Sequence, residues 1–319
     1  MGMVKLGKTD VQVSEIIQGT WVMGKDYWGG AEDRESMEAI QCALEHGIQT
    51  FDTAYIYGRG HAEELLGEAL KGKREECTII TKLWKTDMAK ERVQIGLDDA
   101  MRRLKTEFID VFFIHYPVEE VPIEDTMSEL MRLKEEGRIG AIGVSNFSLA
   151  QMKEAMKYGD IDVIQPCYSL LWRFIDTDIL PFAIENGIAV IPYSPLGQGI
   201  LTGSMKPGHT FKPGDSRQNT PLFAPENFER ALAVTERVKE VAEKYGRTPA
   251  QTAIRWIMQC AGMTAPIVGA RNIRQVNDNV GAIGWELSAG DMAYLDGFSK
   301  EFAYSLPKYR TLFDKSIEE

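Results

Sequence analysis

The sequence has few cysteines, no long apolar run and no excess of positive charge. Its four cysteines, Cys42, Cys77, Cys167 and Cys260, lie far apart and form no CxxC pair, so we expect reduced thiols rather than disulfides or a metal site. The N-terminus lacks the apolar core of a signal peptide, and no run reaches the length of a membrane span. A formal net charge of −11 argues against nucleic acids and anionic membranes as partners. We therefore expect a cytoplasmic protein.

What the sequence does contain is a repeated alternation of short apolar runs with longer stretches of helical periodicity. No linker or low-complexity segment interrupts it, so one domain over residues 1–319 is expected. Runs such as IAVIPY are nearly continuous in apolar residues, which is typical of parallel strands buried on both faces. The predicted strands are 15–20, 48–53, 77–83, 108–115, 139–145, 161–165, 188–193 and 265–269.

Eight such strand–helix units favour an α/β fold of the closed (β/α)8 TIM-barrel type over an open sheet. Residues 4–6 and 11–13 predict an N-terminal β-hairpin, and Ser148 and Thr177 are predicted helix N-caps. The predicted helices are 34–45, 62–70, 89–104, 124–136, 149–156 and 177–185, with two extra helices, 226–245 and 249–260, before the eighth strand.

Polar residues end several predicted strands, where the loops of a barrel converge on one face and hold its chemistry. Asp52, Lys82 and His115 each end an apolar strand, and Tyr57 follows Asp52 by five residues. A tyrosine has a pKa of about 10, and we expect the Lys82 ammonium to lower that pKa and make Tyr57 a better general acid. Asp52 would keep Lys82 charged, and a neutral His115 would hydrogen-bond a substrate carbonyl.

Other interpretations of these residues stay open. Taken singly, Asp52 and Lys82 fit a structural ion pair, and a strand-end histidine and a loop tyrosine fit ordinary packing. Lys82 could also serve as the Schiff-base nucleophile of a barrel aldolase, although Asp52 would then hold it protonated. A third alternative is a redox-sensing partner protein that binds a cofactor with little turnover.

The sequence is similar to the aldo-keto reductase superfamily over nearly its whole length. The matching segments, in the family's order, are FDTAYIYGRGHAEELLGEAL, TIITK, DVFFIHYP, GRIGAIGVSNFS, the Gln165 strand, IPYSPLGQGILTG and PIVGARNIRQVNDN. The resemblance implies NADP(H)-dependent reduction of a carbonyl, with Asp52, Tyr57, Lys82 and His115 as the catalytic tetrad. It extends to the bacterial general-stress and inositol-cluster type, which is related to potassium-channel β subunits.

The resemblance also implies a cofactor site without a Rossmann domain. Gly197, Gly199 and Gly203 follow a strand, but the third glycine is one place too late for GxGxxG. In the family the dinucleotide lies extended across the barrel mouth. The cofactor-binding residues that it implies are Thr20, Trp21, Asp52, Ser145, Asn146, Gln165, Tyr193, Ser194, Leu196, Gly197, Leu201, Gly269, Arg271, Gln275 and Asn279.

Individual roles follow from the same resemblance. Ser145, Asn146 and Gln165 would bind the nicotinamide carboxamide, and Tyr193 would stack under the ring. Arg271 suits a 2′-phosphate, which favours NADP(H). Many relatives place a lysine in the preceding turn, where this chain has Gly269 and Ala270, so NAD(H) stays open as an alternative. The Gly- and Pro-rich residues 204–225 fit either a lid over the pyrophosphate or a surface loop.

Aromatic residues just past the strand ends predict a pocket for a small-molecule aldehyde or ketone with an apolar body. The predicted substrate residues are Trp21, Tyr55, Trp84, Tyr116 and Trp172, with Tyr27 and Trp28 nearby. The aromatic tail with Phe302, Tyr304, Tyr309 and Phe313 either closes one side of this pocket or packs on the barrel. We expect a monomer or a weak homo-oligomer.

Overall fold

A computed structural model describes residues 1–26, 30–307 and 311–313. Tyr27, Trp28 and Tyr309 therefore lie outside the described residues. An N-terminal hairpin of β1 (Met3–Lys5) and β2 (Gln12–Ser14) precedes the main sheet, as predicted. Within the described ranges, no helix combines the length and the apolar character needed to span a bilayer.

Eight parallel strands form the main sheet and confirm the predicted (β/α)8 fold. The order around the sheet is β10, β3, β4, β5, β6, β7, β8, β9. The Ile267 N–H of the last strand donates to the Pro192 carbonyl at 2.9 Å, which joins the two ends. The strands are β3 (Ile17–Gly19), β4 (Thr50–Asp52), β5 (Thr78–Leu83), β6 (Ile109–Ile114), β7 (Ile139–Ser145), β8 (Val163–Gln165), β9 (Ala189–Val190) and β10 (Ile267–Gly269).

Helices connect these strands on the outside of the barrel. The predicted cap Ser148 is confirmed with a full capping box, whereas Thr177 is wrong because the Asp178 carboxylate accepts from the Ile179 N–H instead. The helices are α1 (Asp33–Glu45), α2 (His61–Ala69), α3 (Lys90–Leu104), α4 (Ile123–Glu135), α5 (Leu149–Ala155), α6 (Ile179–Asn186), α7 (Pro225–Lys244), α8 (Pro249–Gln259), α9 (Ile273–Val280) and α10 (Ala289–Ala303).

The barrel interior sets the position of the polar strand ends. Ile80 of β5, Phe113 of β6 and Val163 of β8 point into the interior, together with Leu6 and Val13 of the hairpin, which covers the N-terminal end of the barrel. Side chains two residues further along a strand point the same way. The next inward positions are Lys82, His115 and Gln165, at the open, C-terminal end.

Candidate active site

Lys82 lies at the centre of a buried polar cluster at the open end of the barrel. Its Nζ donates to the two Asp52 carboxylate oxygens at 2.9 and 2.8 Å and to the Thr53 carbonyl at 2.8 Å. It also donates to the Tyr57 hydroxyl at 3.3 Å. The Lys82 side chain has no exposed surface, so these oxygens replace the water that an ammonium requires.

Burial dominates the electrostatics of this cluster. It raises the pKa of the Asp52 carboxyl and lowers the pKa of the Lys82 ammonium, and the pairing of the two offsets part of each shift. Burial, together with the Asp52 charge, raises the pKa of Tyr57 well above its usual value. The expected lowering of the Tyr57 pKa by Lys82 is therefore wrong for this structure, and Tyr57 keeps its proton at neutral pH.

His115 faces the same cluster. Its ring centroid lies 6.2 Å from that of Tyr57, with the two rings edge to face. Burial and the nearby Lys82 charge lower the pKa of His115 well below its usual value, so the imidazole is neutral. Its Nδ1 is buried and has no hydrogen-bond partner among the described residues. Such an atom is costly to leave unpaired, which favours a polar ligand at this position.

Four of the predicted carboxamide and stacking residues form a hydrogen-bonded chain beside this cluster. Gln165 donates through Nε2 to Asp52 Oδ2 at 2.8 Å, and Ser145 Oγ donates to the Gln165 carbonyl at 2.8 Å. The Tyr193 hydroxyl donates to Asn146 Oδ1 at 2.9 Å. Asn146 has a φ of 62°, in the left-handed region that favours glycine. Strained backbone of this kind is common at functional sites.

Further predicted cofactor residues lie on two other segments. The 3₁₀ segment Gly197–Thr202 begins with Gly197 at a φ of 53°, and the side chain of Leu201 in this segment is fully buried. Arg217 donates to the Gln198 carbonyl at 3.2 Å and pairs with Asp215 at 2.6 Å. Residues 204–225 thus contact the segment Gly197–Thr202, and their role as a lid or as a surface loop stays a prediction.

The second segment follows β10. The Arg271 N–H donates to Gln275 Oε1 at 2.8 Å, and Asn279 donates to the Gly269 carbonyl at 3.3 Å. Thr20, at the end of β3, is fully buried and donates to the Asp52 carbonyl. The predicted cofactor residues therefore lie at the C-terminal ends of the strands and on the two segments that follow β9 and β10.

The predicted substrate aromatics divide into two groups. Trp21 packs edge to face on Tyr57 with a centroid distance of 4.9 Å, and Trp84 and Tyr116 pack on His115 at 5.4 and 5.1 Å. These three surround the cluster. The other two have different neighbours: Tyr55 is covered by the Arg103 guanidinium and lines a small cavity with Lys82 and Trp84, and Trp172 is buried against Phe174.

Two residues of the surroundings were not predicted from the sequence. Glu63 is fully buried behind β5, and Gly24 packs on the backbone of Tyr57. Glu63 lies on the buried face of α2 with Ala62 and Leu66. An acidic residue on an apolar helix face was the signal that could have identified it.

The chain was compared with families of known proteins. Residues 15–300 match the model of the Aldo/keto reductase family. Aldo-keto reductase YhdN of Bacillus subtilis is 34% identical over 302 residues, which cover 91% of this chain and 91% of that protein. The NADH-specific methylglyoxal reductase of Escherichia coli is 32% identical over 315 residues, which cover 91% of this chain and 96% of that enzyme.

The fold has a counterpart among solved structures. The glycerol dehydrogenase of Gluconobacter oxydans is 34% identical and superposes with a TM-score of 0.86, over 94% of this chain and 95% of that one. The family match over residues 15–300 includes all the strand ends described above.

Proposed function

This chain belongs to the aldo/keto reductase family of oxidoreductases that act on carbonyls, and we propose that it reduces aldehydes or ketones to alcohols with NADPH and with Tyr57 as the proton donor. One observation supports this most directly. Lys82 contacts the Asp52 carboxylate and the Tyr57 hydroxyl at once, in a buried mouth beside a neutral His115. In this arrangement the Tyr57 hydroxyl can hold a proton and deliver it to the oxygen of a bound carbonyl.

The residues of the mouth fit a dinucleotide. Tyr193 offers a flat ring and is joined to His115 through Asn146, which accepts from the Tyr193 hydroxyl and donates to the His115 carbonyl. The Asn272 side chain caps α9, whose free N–H groups favour an anion near Arg271. Burial lowers the pKa of Arg271, and charge repulsion from Arg217 acts in the same direction, while the Asp215 charge opposes it. An anionic group bound between these two guanidiniums would relieve that repulsion.

The proposed reaction assigns one task to each residue of the cluster. When bound, NADPH supplies a hydride to the carbonyl carbon. Tyr57 donates its phenolic proton to the carbonyl oxygen, which completes the alcohol, and water later returns a proton to the phenolate. Lys82 donates to the phenolic oxygen, so this contact strengthens as negative charge develops there. His115 orients the carbonyl by a hydrogen bond.

Geometry weakens the aldolase alternative. A Schiff-base nucleophile needs an unprotonated amine with a free lone pair. Lys82 Nζ contacts four oxygens, two of them from the Asp52 carboxylate, and this surrounding favours the ammonium. A cofactor-sensing protein would instead bind NADPH tightly and show little turnover with any carbonyl.

Relatives guide the choice of cofactor and substrate in the assay. One relative is named an NADH-specific methylglyoxal reductase and another a glycerol dehydrogenase. Arg271 and Arg217 favour NADPH in this chain. We propose a preference for NADPH and include methylglyoxal and glyceraldehyde among the carbonyls to be tested with both cofactors.

The test is turnover of the wild type and of Tyr57→Phe. Oxidation of NADPH by at least one carbonyl is expected for the wild type, and Tyr57→Phe should lose about 10²- to 10⁴-fold in kcat, because that is the usual contribution of a general acid. Quenching of tryptophan fluorescence by NADPH should persist. Tyr294→Phe, which removes the hydroxyl of a tyrosine in α10 on the outside of the barrel, is the matched control. Wild-type turnover by Tyr57→Phe would contradict the proposal, and tight NADPH binding without turnover would favour the sensing function.

A further inference from the structure

A second buried ion pair, between Glu63 and Arg103, lies next to the pair of Asp52 and Lys82. Glu63 is fully buried, and its carboxylate accepts from Thr81 Oγ1 at 2.6 Å and from Arg103 Nε at 2.6 Å. We propose that Glu63 is a positioning residue for the reduction, which ties the loop of Tyr57 to the strand of Lys82. This inference rests on the proposed role of Tyr57 as proton donor.

The contacts form a closed ring. The Tyr57 carbonyl accepts from the Ala62 N–H at 3.2 Å, and Ala62 is followed by Glu63. Glu63 accepts from Thr81, and Thr81 is followed on β5 by Lys82. Lys82 then donates to the Tyr57 hydroxyl at 3.3 Å. Because every link is a hydrogen bond or a peptide unit, loss of the Glu63 link frees Tyr57 to move relative to Lys82.

Arg103 of α3 adds further contacts to this ring of hydrogen bonds. Its guanidinium lies 5.1 Å from the centroid of the Tyr55 ring. The loop between Tyr57 and Glu63 also packs on it, since a Cβ on Gly60 would lie 2.5 Å from the Arg103 Cδ. The side chain of Arg103 is 11% exposed, so its pair with Glu63 is largely shielded from solvent. The loop is therefore held between β5 and α3.

The two pairs are also coupled by charge. Burial lowers the pKa of Lys82, and the charges of Asp52 and Glu63 both oppose that shift. Burial raises the pKa of Glu63 itself, and Arg103, Thr81 and Lys82 oppose that shift. Two acids and two bases thus share one buried region. Removal of one of them leaves a buried charge without compensation, which is more costly than loss of a neutral contact.

Thr81 provides the test that leaves every charge in place. Thr81→Val removes the hydroxyl that Glu63 accepts from and keeps the shape, whereas Thr81→Ser keeps the hydroxyl. We expect Thr81→Val to lose about tenfold to a hundredfold in kcat, because small misplacements of reacting groups have effects of this size. The dissociation constant of NADPH should not change. Thr81→Ser should stay within about twofold of the wild type, since its hydroxyl restores the link.

A solvent isotope effect separates positioning from simple loss of folded enzyme. A misplaced Tyr57 makes proton transfer slower relative to the other steps, so the ratio of kcat in H₂O to kcat in D₂O should rise in Thr81→Val. Fewer folded molecules would lower kcat without any change of that ratio. Glu63→Gln should lose more kcat than Thr81→Val, because it removes the charge as well. If Glu63→Gln does not fold, the two Thr81 variants still decide the question.

The outcomes separate this inference from the proposed function. If Tyr57→Phe loses turnover but Thr81→Val keeps the kcat and isotope effect of the wild type, Glu63 is not a positioning residue and the proposed function stands. If Tyr57→Phe keeps turnover, both are wrong. A loss in Thr81→Val that Thr81→Ser shares would also overturn the inference, since the hydroxyl would then be irrelevant.

Discussion

The ring of Phe313 lies nearly parallel to that of Tyr193, at an angle of 13° and a centroid distance of 6.5 Å. Phe313 also stacks on Trp21 at 5.9 Å. Thr311 and Leu312 are buried, so the segment that carries Phe313 is anchored even though its ring is 40% exposed. Tyr193 is the ring on which we propose that the nicotinamide stacks. Residues 311–313 therefore reach the position beside Tyr193 where we propose that the nicotinamide binds.

We expect Phe313→Ala to bind NADPH more tightly, because the ring no longer has to give up its aromatic contacts first. Aromatic pairs contribute about 0.5–1.5 kcal/mol, so the dissociation constant should fall about two- to tenfold. Fluorescence titration with NADPH measures it. Tyr304→Ala, an exposed aromatic earlier in the same tail, is the control and should not change the constant. Weaker binding by Phe313→Ala would show that the ring assists the cofactor instead.

The barrel and the polar ends of its strands were predictable because their signals are local. Apolar runs marked the parallel strands, and the polar residue ending each run marked the inward position at the mouth. Asp52 and Lys82 could be paired on this basis alone. Strand lengths were predicted less well: the run 188–193 contains only the two strand residues Ala189–Val190, since Pro192 has no N–H to donate to a neighbouring strand.

Features that depend on packing between distant segments were not predictable. The pKa of Tyr57 is raised because several elements bury it together, and no single neighbour in the sequence indicates that. Phe313 follows Tyr193 by more than a hundred residues, and its contact depends on the path of the tail. Helix α10 was missed because its apolar residues form no clear stripe along one face.

Gly24 should be intolerant of any side chain, because it packs on the backbone of Tyr57. A Cβ on Gly24 would lie 2.8 Å from the Tyr57 Cα. We expect Gly24→Ala to displace Tyr57 and lower kcat about tenfold to a hundredfold, with about 1–3 kcal/mol lost from the free energy of unfolding. Gly297→Ala in α10, where a Cβ meets nothing within 4 Å, is the control. Equal activity of the two variants would rule out the close packing.

The rate of reduction should depend little on pH over the usual assay range. Reduction needs Tyr57 protonated, which holds below its pKa, and His115 neutral, which holds above its pKa. Burial moves the first pKa well above 10.0 and the second well below 6.5. We therefore expect kcat, measured at saturating NADPH and carbonyl, to be independent of pH between the shifted pKa of His115 and the shifted pKa of Tyr57. A fall in kcat with a midpoint near pH 8 would show that Lys82 lowers the pKa of Tyr57 after all.

Arg271 should decide between the two nicotinamide cofactors. Burial disfavours the charge of Arg271, and the charge of Arg217 acts in the same direction, so a phosphate bound there gains more than one at an exposed arginine. Hydrogen bonds to charged groups contribute about 1.5–3 kcal/mol. Arg271→Met should therefore raise the KM for NADPH about tenfold to a hundredfold. The KM for NADH should stay unchanged, because NADH lacks the 2′-phosphate.

Arg102→Met, on the exposed face of α3, should alter neither constant. An equal rise for both cofactors would place Arg271 at the shared pyrophosphate, and no rise for either would place the phosphate elsewhere.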